Sequence, residues 1–339
     1  MRIRAIAALL ALSVTAGCAG RAAASGFTDG RLNVVTAFYP LRFLATQIGG
    51  AAPTDGPNQS GGANQSGGAS PSNGASQSNG ASQSSGSGAV SVTDLTKPGA
   101  EPHDVELNPR QVAKIVDAGL VVYLKGFQPA VDQAVAQEAP GRALDVASTV
   151  PLLPLATETG ETKDSAHGMD PHVWLDPRRF ATIADAVGVR LGQADPAHAA
   201  EYTARAAALH TELDALDAEY AARLKTCPRR EIVTSHSAFN YLATRYGLTQ
   251  VGITGISPEA EPAPRRLAAV AAEARRTGTT TIFFETLVSP KVAETLAREV
   301  GAKTAVLDPL EGLTEPGADY FSVMRSNLAA LTTALGCTS

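Results

Sequence analysis

The chain has 339 residues, of which 44% are hydrophobic, and carries a formal net charge of −5. That length supplies core material for two domains of ordinary size, and the absence of a basic stripe or of interleaved aromatic and basic residues argues against nucleic acid as a partner. Aromatic residues make up 5%, and the bias towards Leu, Val and Ala fits helices packed on sheets.

The chain opens on a targeting segment. Arg2 and Arg4 give a positive start, and the apolar run from Ile6 to Val14 is too short to span a bilayer. Thr15-Ala16-Gly17-Cys18 resembles a bacterial lipobox, with Thr15 where a branched aliphatic residue is usual. The resemblance implies a signal peptide over 1–17, cleavage before Cys18, lipid on the Cys18 sulfur, and a tether over 18–30. A cysteine carrying several acyl chains anchors stably where a single chain would be marginal.

Leu32 to Phe38 reads as a first buried strand, and Tyr39-Pro40 opens a helix that runs to Ile48 and stops at Gly49-Gly50. A six-residue repeat follows, Asn58-Gln59-Ser60-Gly61-Gly62-Ala63 and then degenerate copies. With no large apolar residue it cannot offset its ordering entropy by burial, so residues 51–88 are expected to be a disordered insertion. Val90 to Leu95 is a second strand, Asn108-Pro109 starts a helix through Val116, and Leu120 to Leu124 is a third strand. This strand and helix alternation predicts a parallel sheet. Residues 31–176 form a first lobe, and the proline-free run Arg178 to Leu191 places one helix over 177–193. In the second lobe, 194–339, Tyr202, Leu209, Leu213, Leu216, Tyr220 and Leu224 mark one face of a long helix, with His198 and His210 towards its solvated edge. Strands follow at Glu231–Ser235, Gln250–Ile253, Thr280–Phe284 and Thr304–Leu307, with helices at Pro264–Arg276 and Pro290–Val300. The expected fold is therefore α/β: two similar lobes, each a mostly parallel sheet flanked by helices, with a cleft between them.

Four corners carry the chemistry. Asp170-Pro171-His172-Val173-Trp174-Leu175-Asp176-Pro177 brackets a histidine and the only tryptophan between two Asp-Pro steps, and a residue before proline is pushed out of helical angles. Glu101-Pro102-His103-Asp104, Thr234-Ser235-His236-Ser237 and Leu307-Asp308-Pro309 are corners of the same kind. Singly, each is an ordinary turn or a solvated histidine. Together they place three histidines and an aspartate where apolar runs give way to loops, and His103, His172, His236 and Asp308 are expected to meet on one metal ion. Glu285, at the end of a strand, is a supporting or substitute carboxylate. Three imidazoles and one carboxylate suit Zn²⁺, with Mn²⁺ or iron as the alternative. Besides Cys18, Cys227 and Cys337 remain, and outside the cytoplasm this pair is expected to form a disulfide.

These segments, together with Phe38-Tyr39-Pro40, Gly99-Ala100-Glu101-Pro102-His103-Asp104, His236-Ser237-Ala238-Phe239, Ile256-Ser257-Pro258-Glu259 and Leu307-Asp308-Pro309-Leu310, resemble the zinc- and manganese-group solute receptors of bacterial ABC importers. The resemblance implies that His103 and His172 come from the first lobe, that His236 and Asp308 come from the second, and that the helix after the central corner is a rigid bridge. It implies a monomeric lipoprotein, anchored outside the cytoplasm, that captures Zn²⁺ and delivers it to a membrane permease. Zinc members often carry a histidine-rich loop before the central corner, whereas here residues 156–168 hold His167 alone. The manganese members usually have glutamate where this chain has His236. An enzyme is not expected, because Asp308 would fill the position that catalytic zinc keeps open for water. A zinc hydrolase, with Glu285 as base, is the reading that would follow if Asp308 stood apart.

Overall fold

The computed structural model describes residues 26–51, 88–155, 168–315 and 317–338. The signal segment, Cys18, the repeat insertion and His167 lie outside them. In the first half, β2 (Arg31–Thr36) buries Leu32, Val34 and Val35, so side chains on both of its faces are covered, as a central parallel strand requires. Its neighbours are β3 (Val90–Asp94) on one side and β4 (Leu120–Tyr123) on the other, both parallel to it, with β5 (Ala143–Asp145) beyond β4. A two-residue strand, β1 (Phe27–Thr28), pairs antiparallel with the start of β2. The second half repeats the plan with β6 (Glu231–Thr234), β7 (Thr249–Gly252), β8 (Thr281–Phe284) and β9 (Lys303–Val306), all parallel and ordered β7-β6-β8-β9. In both sheets the first of the parallel strands, β2 or β6, lies between the second and the third. Connections therefore leave in opposite directions at that point, and a crevice opens at the carboxyl ends of the strands.

Helix boundaries follow local signals. Pro40 stands in the first turn of α1 (Tyr39–Gly49), which Gly50 closes in the left-handed conformation at φ 67°. Asn108 caps α2 (Pro109–Asp117) by accepting the backbone N–H groups of Arg110 and Gln111, and Gln111 returns the bond. Asp176 does the same for α4 (Pro177–Ala194), accepting from Arg178 and Arg179. Between these lies α3 (Pro129–Glu138), which again carries a proline in its first turn. The second half contributes α6 (Asn240–Tyr246), α7 (Pro264–Thr277), α8 (Lys291–Val300) and α9 (Tyr320–Leu335), the last capped by Asp319.

Between the two sheets runs the antiparallel pair of α4 and α5 (Ala199–Leu224). Phe180, Ile183, Val187 and Leu191 of α4 meet Tyr202, Leu209 and Leu213 of α5 in one hydrophobic core, and Gly188 allows the close approach, since a Cβ there would sit 2.7 Å from that of Ala206. At 1.5 Å per residue, α5 is about 39 Å long. It touches α1 in the first half and α6 and α9 in the second, so one continuous core joins both sheets. A smaller cluster, including Val233, Ile253, Val270 and Leu296, fills the other face of the second sheet beneath α7 and α8. Cys227 and Cys337 form a disulfide that ties the end of α5 to the segment after α9. At the other end of the first sheet, Gly50 and Gly88 abut, and a Cβ on Gly88 would lie 2.1 Å from the Gly50 carbonyl oxygen.

Candidate metal centre

His236 stands two residues past β6. Its carbonyl oxygen accepts the Thr234 hydroxyl (2.6 Å) and the Gln250 amide (3.0 Å), which fixes the backbone at the strand end. Glu285, the first residue after β8, lies one strand over and accepts both the Ser235 hydroxyl and the His236 Nδ1–H at 2.7 Å. His172 sits on the central corner, where one oxygen of Asp170 accepts its backbone N–H (2.9 Å) and its Nδ1–H (2.8 Å). The Tyr241 hydroxyl donates to the Asp170 carbonyl at 2.8 Å and holds that corner from the second half. His103 lies in the loop after β3. Its backbone N–H is shared by the two oxygens of Glu101 at 3.1 Å, and its ring packs edge-on against Phe127 with centroids 4.6 Å apart.

The three rings converge. His103 Nε2, His172 Nε2 and His236 Nε2 lie 3.3, 3.1 and 3.3 Å from a single oxygen, Oε1 of Glu311. All four candidate ligand atoms fall within 4.8 Å of one another, and all four residues are buried. The other Glu311 oxygen is buried and has no hydrogen-bond partner among the described residues. Beside the group a partly open cavity of about 230 Å³ is lined by Arg42, Asp94, Thr96, Lys97 and Glu311, among others.

Charge is concentrated in little solvent. Burial disfavours a charged His236, but Glu311 and Glu285 outweigh it and raise the imidazole to about 10. His172 follows the same pattern: burial opposes its charge, and Asp170 and Glu311 prevail to raise it. His103 has no carboxylate on its second nitrogen among the described residues, and burial lowers it despite Glu311. Glu311 itself, though buried, is held well below the usual carboxylate range by His236 and by hydrogen bonds from all three rings. Such a site holds a cation or retains protons.

Residues 83–334 match the family described as "Zinc-uptake complex component A periplasmic". The chain belongs to this family. It is 37% identical over 261 residues to the zinc-binding protein AdcA of Streptococcus pyogenes serotype M6, covering 71% of this chain and 51% of that protein. Identity to the zinc-binding lipoprotein AdcA of Streptococcus pneumoniae serotype 4 is 33% over 318 residues, 89% of this chain and 56% of that one. The chain thus spans about half the length of these curated relatives. The solved Zn(II)-bound ZnuA-like domain of Streptococcus pneumoniae AdcA superposes with a TM-score of 0.68 at 32% identity, covering 90% of this chain and 99% of that domain.

Within this member of the zinc-uptake component A family, the structure brings His103, His172 and His236 together as the sequence led us to expect, but Asp308 does not join them. Its carboxylate is used to close its own corner, with Oδ1 accepting the Leu310 N–H at 2.7 Å and Oδ2 the Thr286 hydroxyl at 3.1 Å. An aspartate before proline commonly bonds its own backbone two residues on, and that keeps Asp308 out of the group and leaves Glu311 as the carboxylate beside the three rings. Glu311 carried no motif to reveal it, because it follows Leu310, whose left-handed backbone (φ 60°) the sequence does not announce. Glu285 backs His236. His198 and His210 pair with Asp195 (2.7 Å) and Asp185 (2.8 Å) on the helix pair, away from the four.

Proposed function

We propose that the chain is an extracytoplasmic zinc receptor in which His103, His172, His236 and Glu311 hold Zn²⁺ as cargo for the membrane permease of an ABC importer. One observation carries this reading. With Nδ1–H of His172 and His236 donated to Asp170 and Glu285, their Nε2 atoms converge with that of His103 on one carboxylate oxygen, so that a single cation can replace the protons shared there and take three nitrogens and an oxygen at once. Carboxylates behind ligating imidazoles fix the tautomer and raise basicity, a standard support for zinc. Three nitrogens and an oxygen favour this borderline ion over manganese, which prefers more oxygen. Similarity to a zinc-binding lipoprotein supports an anchor at Cys18, and a monomer suffices because one chain supplies all four groups.

The hydrolase alternative loses its footing. Glu311 takes the fourth position in place of Asp308, and Glu285 is occupied behind His236 instead of facing a water. The test is metal content of protein purified without added metal, followed by competition against a chelator of known zinc affinity. About one zinc per chain, lost together with Glu311→Ala, supports the reading. Undiminished affinity in Glu311→Ala overturns the ligand set, and the absence of any tight zinc binding overturns the function.

A further inference from the structure

The loop that presents Glu311 is held by side chains from three separate elements. It leaves the last strand at Leu307, which is buried and donates its N–H to the Phe284 carbonyl at 2.9 Å, and every backbone polar group from the Asp308 N–H to the Leu310 N–H has a partner. Asn327, buried on α9 at 2% exposure, accepts the Asp308 N–H at 2.9 Å and donates to the Asp308 carbonyl at 2.7 Å, pairing with that residue as a neighbouring strand would. The Pro309 carbonyl accepts the Trp174 indole N–H at 2.7 Å, and proline has no N–H to satisfy. The Leu310 N–H is accepted by the Asp308 side chain, whose other oxygen takes the Thr286 hydroxyl.

These contacts hold a strained link. Leu310 is fully buried at φ 60°, a left-handed conformation that a residue with a bulky side chain adopts only where its surroundings over-determine it. Relaxing Leu310 would redirect the chain at the next residue, which is Glu311. Trp174 also links this loop to the His172 corner: its indole holds Pro309, while its own carbonyl accepts the Tyr320 hydroxyl at 2.7 Å.

We infer that Asp308, Asn327 and Thr286 are positioning residues for Glu311, a cradle that presets the left-handed turn at Leu310 so that the carboxylate meets the three imidazoles without reorganisation on metal arrival. This rests on the reading of Glu311 as a ligand. The cradle removes an ordering cost from binding, and it keeps one carboxylate oxygen, Oε1, at the focus of the imidazoles, which favours a low coordination number over one in which the carboxylate swings to give both oxygens.

The test is a set of double-mutant cycles on the full chain, read by zinc competition and by the absorption spectrum of the Co²⁺-loaded protein. Asp308→Ala and Asn327→Ala are expected to weaken zinc by about 10- to 100-fold, the usual size for outer partners of metal ligands. Asp308→Asn recovers most of the loss, since an amide oxygen still accepts the Leu310 N–H. In a Glu311→Ala background the Asp308→Ala and Asn327→Ala penalties vanish, and the Co²⁺ spectrum of Asp308→Ala shifts to that of Glu311→Ala. Should Asn327→Ala fail to fold, Thr286→Val tests the same point from an exposed position, with an expected loss of a few fold that disappears without Glu311. Equal penalties in both backgrounds would overturn the cradle, as would Asp308→Asn binding no better than Asp308→Ala. Wild-type affinity in Glu311→Ala alone would instead reject the ligand assignment on which the cradle rests.

Discussion

The two sheets share a strand order but deliver their site residues by different means. In the second sheet His236 and Glu285 stand within two residues of adjacent parallel strand ends, so their separation is set by strand spacing and by little else. In the first, His103 comes nine residues after β3 and His172 twenty-seven after β5, and neither position is fixed by the sheet. The loop-borne residues are fixed by side chains instead: Asp170, Trp174 and Tyr241 around His172, and Glu101 with Phe127 around His103. Of the three imidazoles, His103 alone lacks a carboxylate behind it among the described residues. A half-site built on strand ends is preset by folding, whereas one built on loops is only as stiff as its supporting contacts.

The largest effect expected is from His236→Ala. It removes the best-anchored ring and leaves Glu285 buried with one partner fewer, so zinc affinity should fall by at least ~100-fold, above the range for outer partners; a chelator competition measures it, and a smaller loss than His103→Ala shows would break the comparison. Next in size, Glu285→Gln and Asp170→Asn should each cost about 10- to 100-fold. Calorimetric titration of the pair sharpens the point: Asp170→Asn should also increase local hydrogen exchange around the central corner, because Asp170 holds a loop, while Glu285→Gln should leave β6 and β8 protected. A third change, His236→Glu, hardens the strand-end ligand and should lower the ratio of zinc to manganese affinity. Competition of both ions at one pH reads that ratio, and no decrease would remove His236 from the ligands.

The last effect is on stability, not on affinity, and concerns a strand end that serves no imidazole. Asp94 closes β3, opposite Arg42 at 3.7 Å, and burial pushes its carboxyl up to about 7. Its folded value thus lies above the unfolded one of about 3.9, so the folded chain binds the proton more tightly. Stability is undiminished by this group below about pH 4 and is lost as pH rises towards 7, by at most roughly 1.4 kcal/mol for each unit of separation. Asp94→Asn should abolish that part of the slope in thermal melts between pH 4 and 8, with the curves meeting at the acid end.

Legibility in the sequence followed the same divide. Strands and helices with strong periodicity were readable to within a residue or two, as at Tyr39–Gly49 and Pro264–Thr277, because apolar spacing and Pro or Gly punctuation both marked them. The three histidines were readable because each ends an apolar run at a corner. Glu311 was not, since its place depends on a buried left-handed leucine, an asparagine sixteen residues on and a tryptophan from the other half, contacts that exist only once the chain has folded. Asp308 misled for a related reason: an Asp-Pro step looks the same whether its carboxylate faces a metal or its own backbone.

The abutting glycines, Gly50 and Gly88, have a practical consequence. They meet at the amino-terminal edge of the first sheet, whereas the three imidazoles and Glu311 gather at the carboxyl-terminal edge, with the length of β3 between. Two chain ends already in contact can be joined by a link of almost any length at little cost, because loop closure grows only logarithmically with length. This junction is therefore a natural port for cargo of another kind. A fluorophore-bearing peptide or a small reporter domain spliced in place of residues 52–87 is expected to leave the cluster of His103, His172, His236 and Glu311 undisturbed.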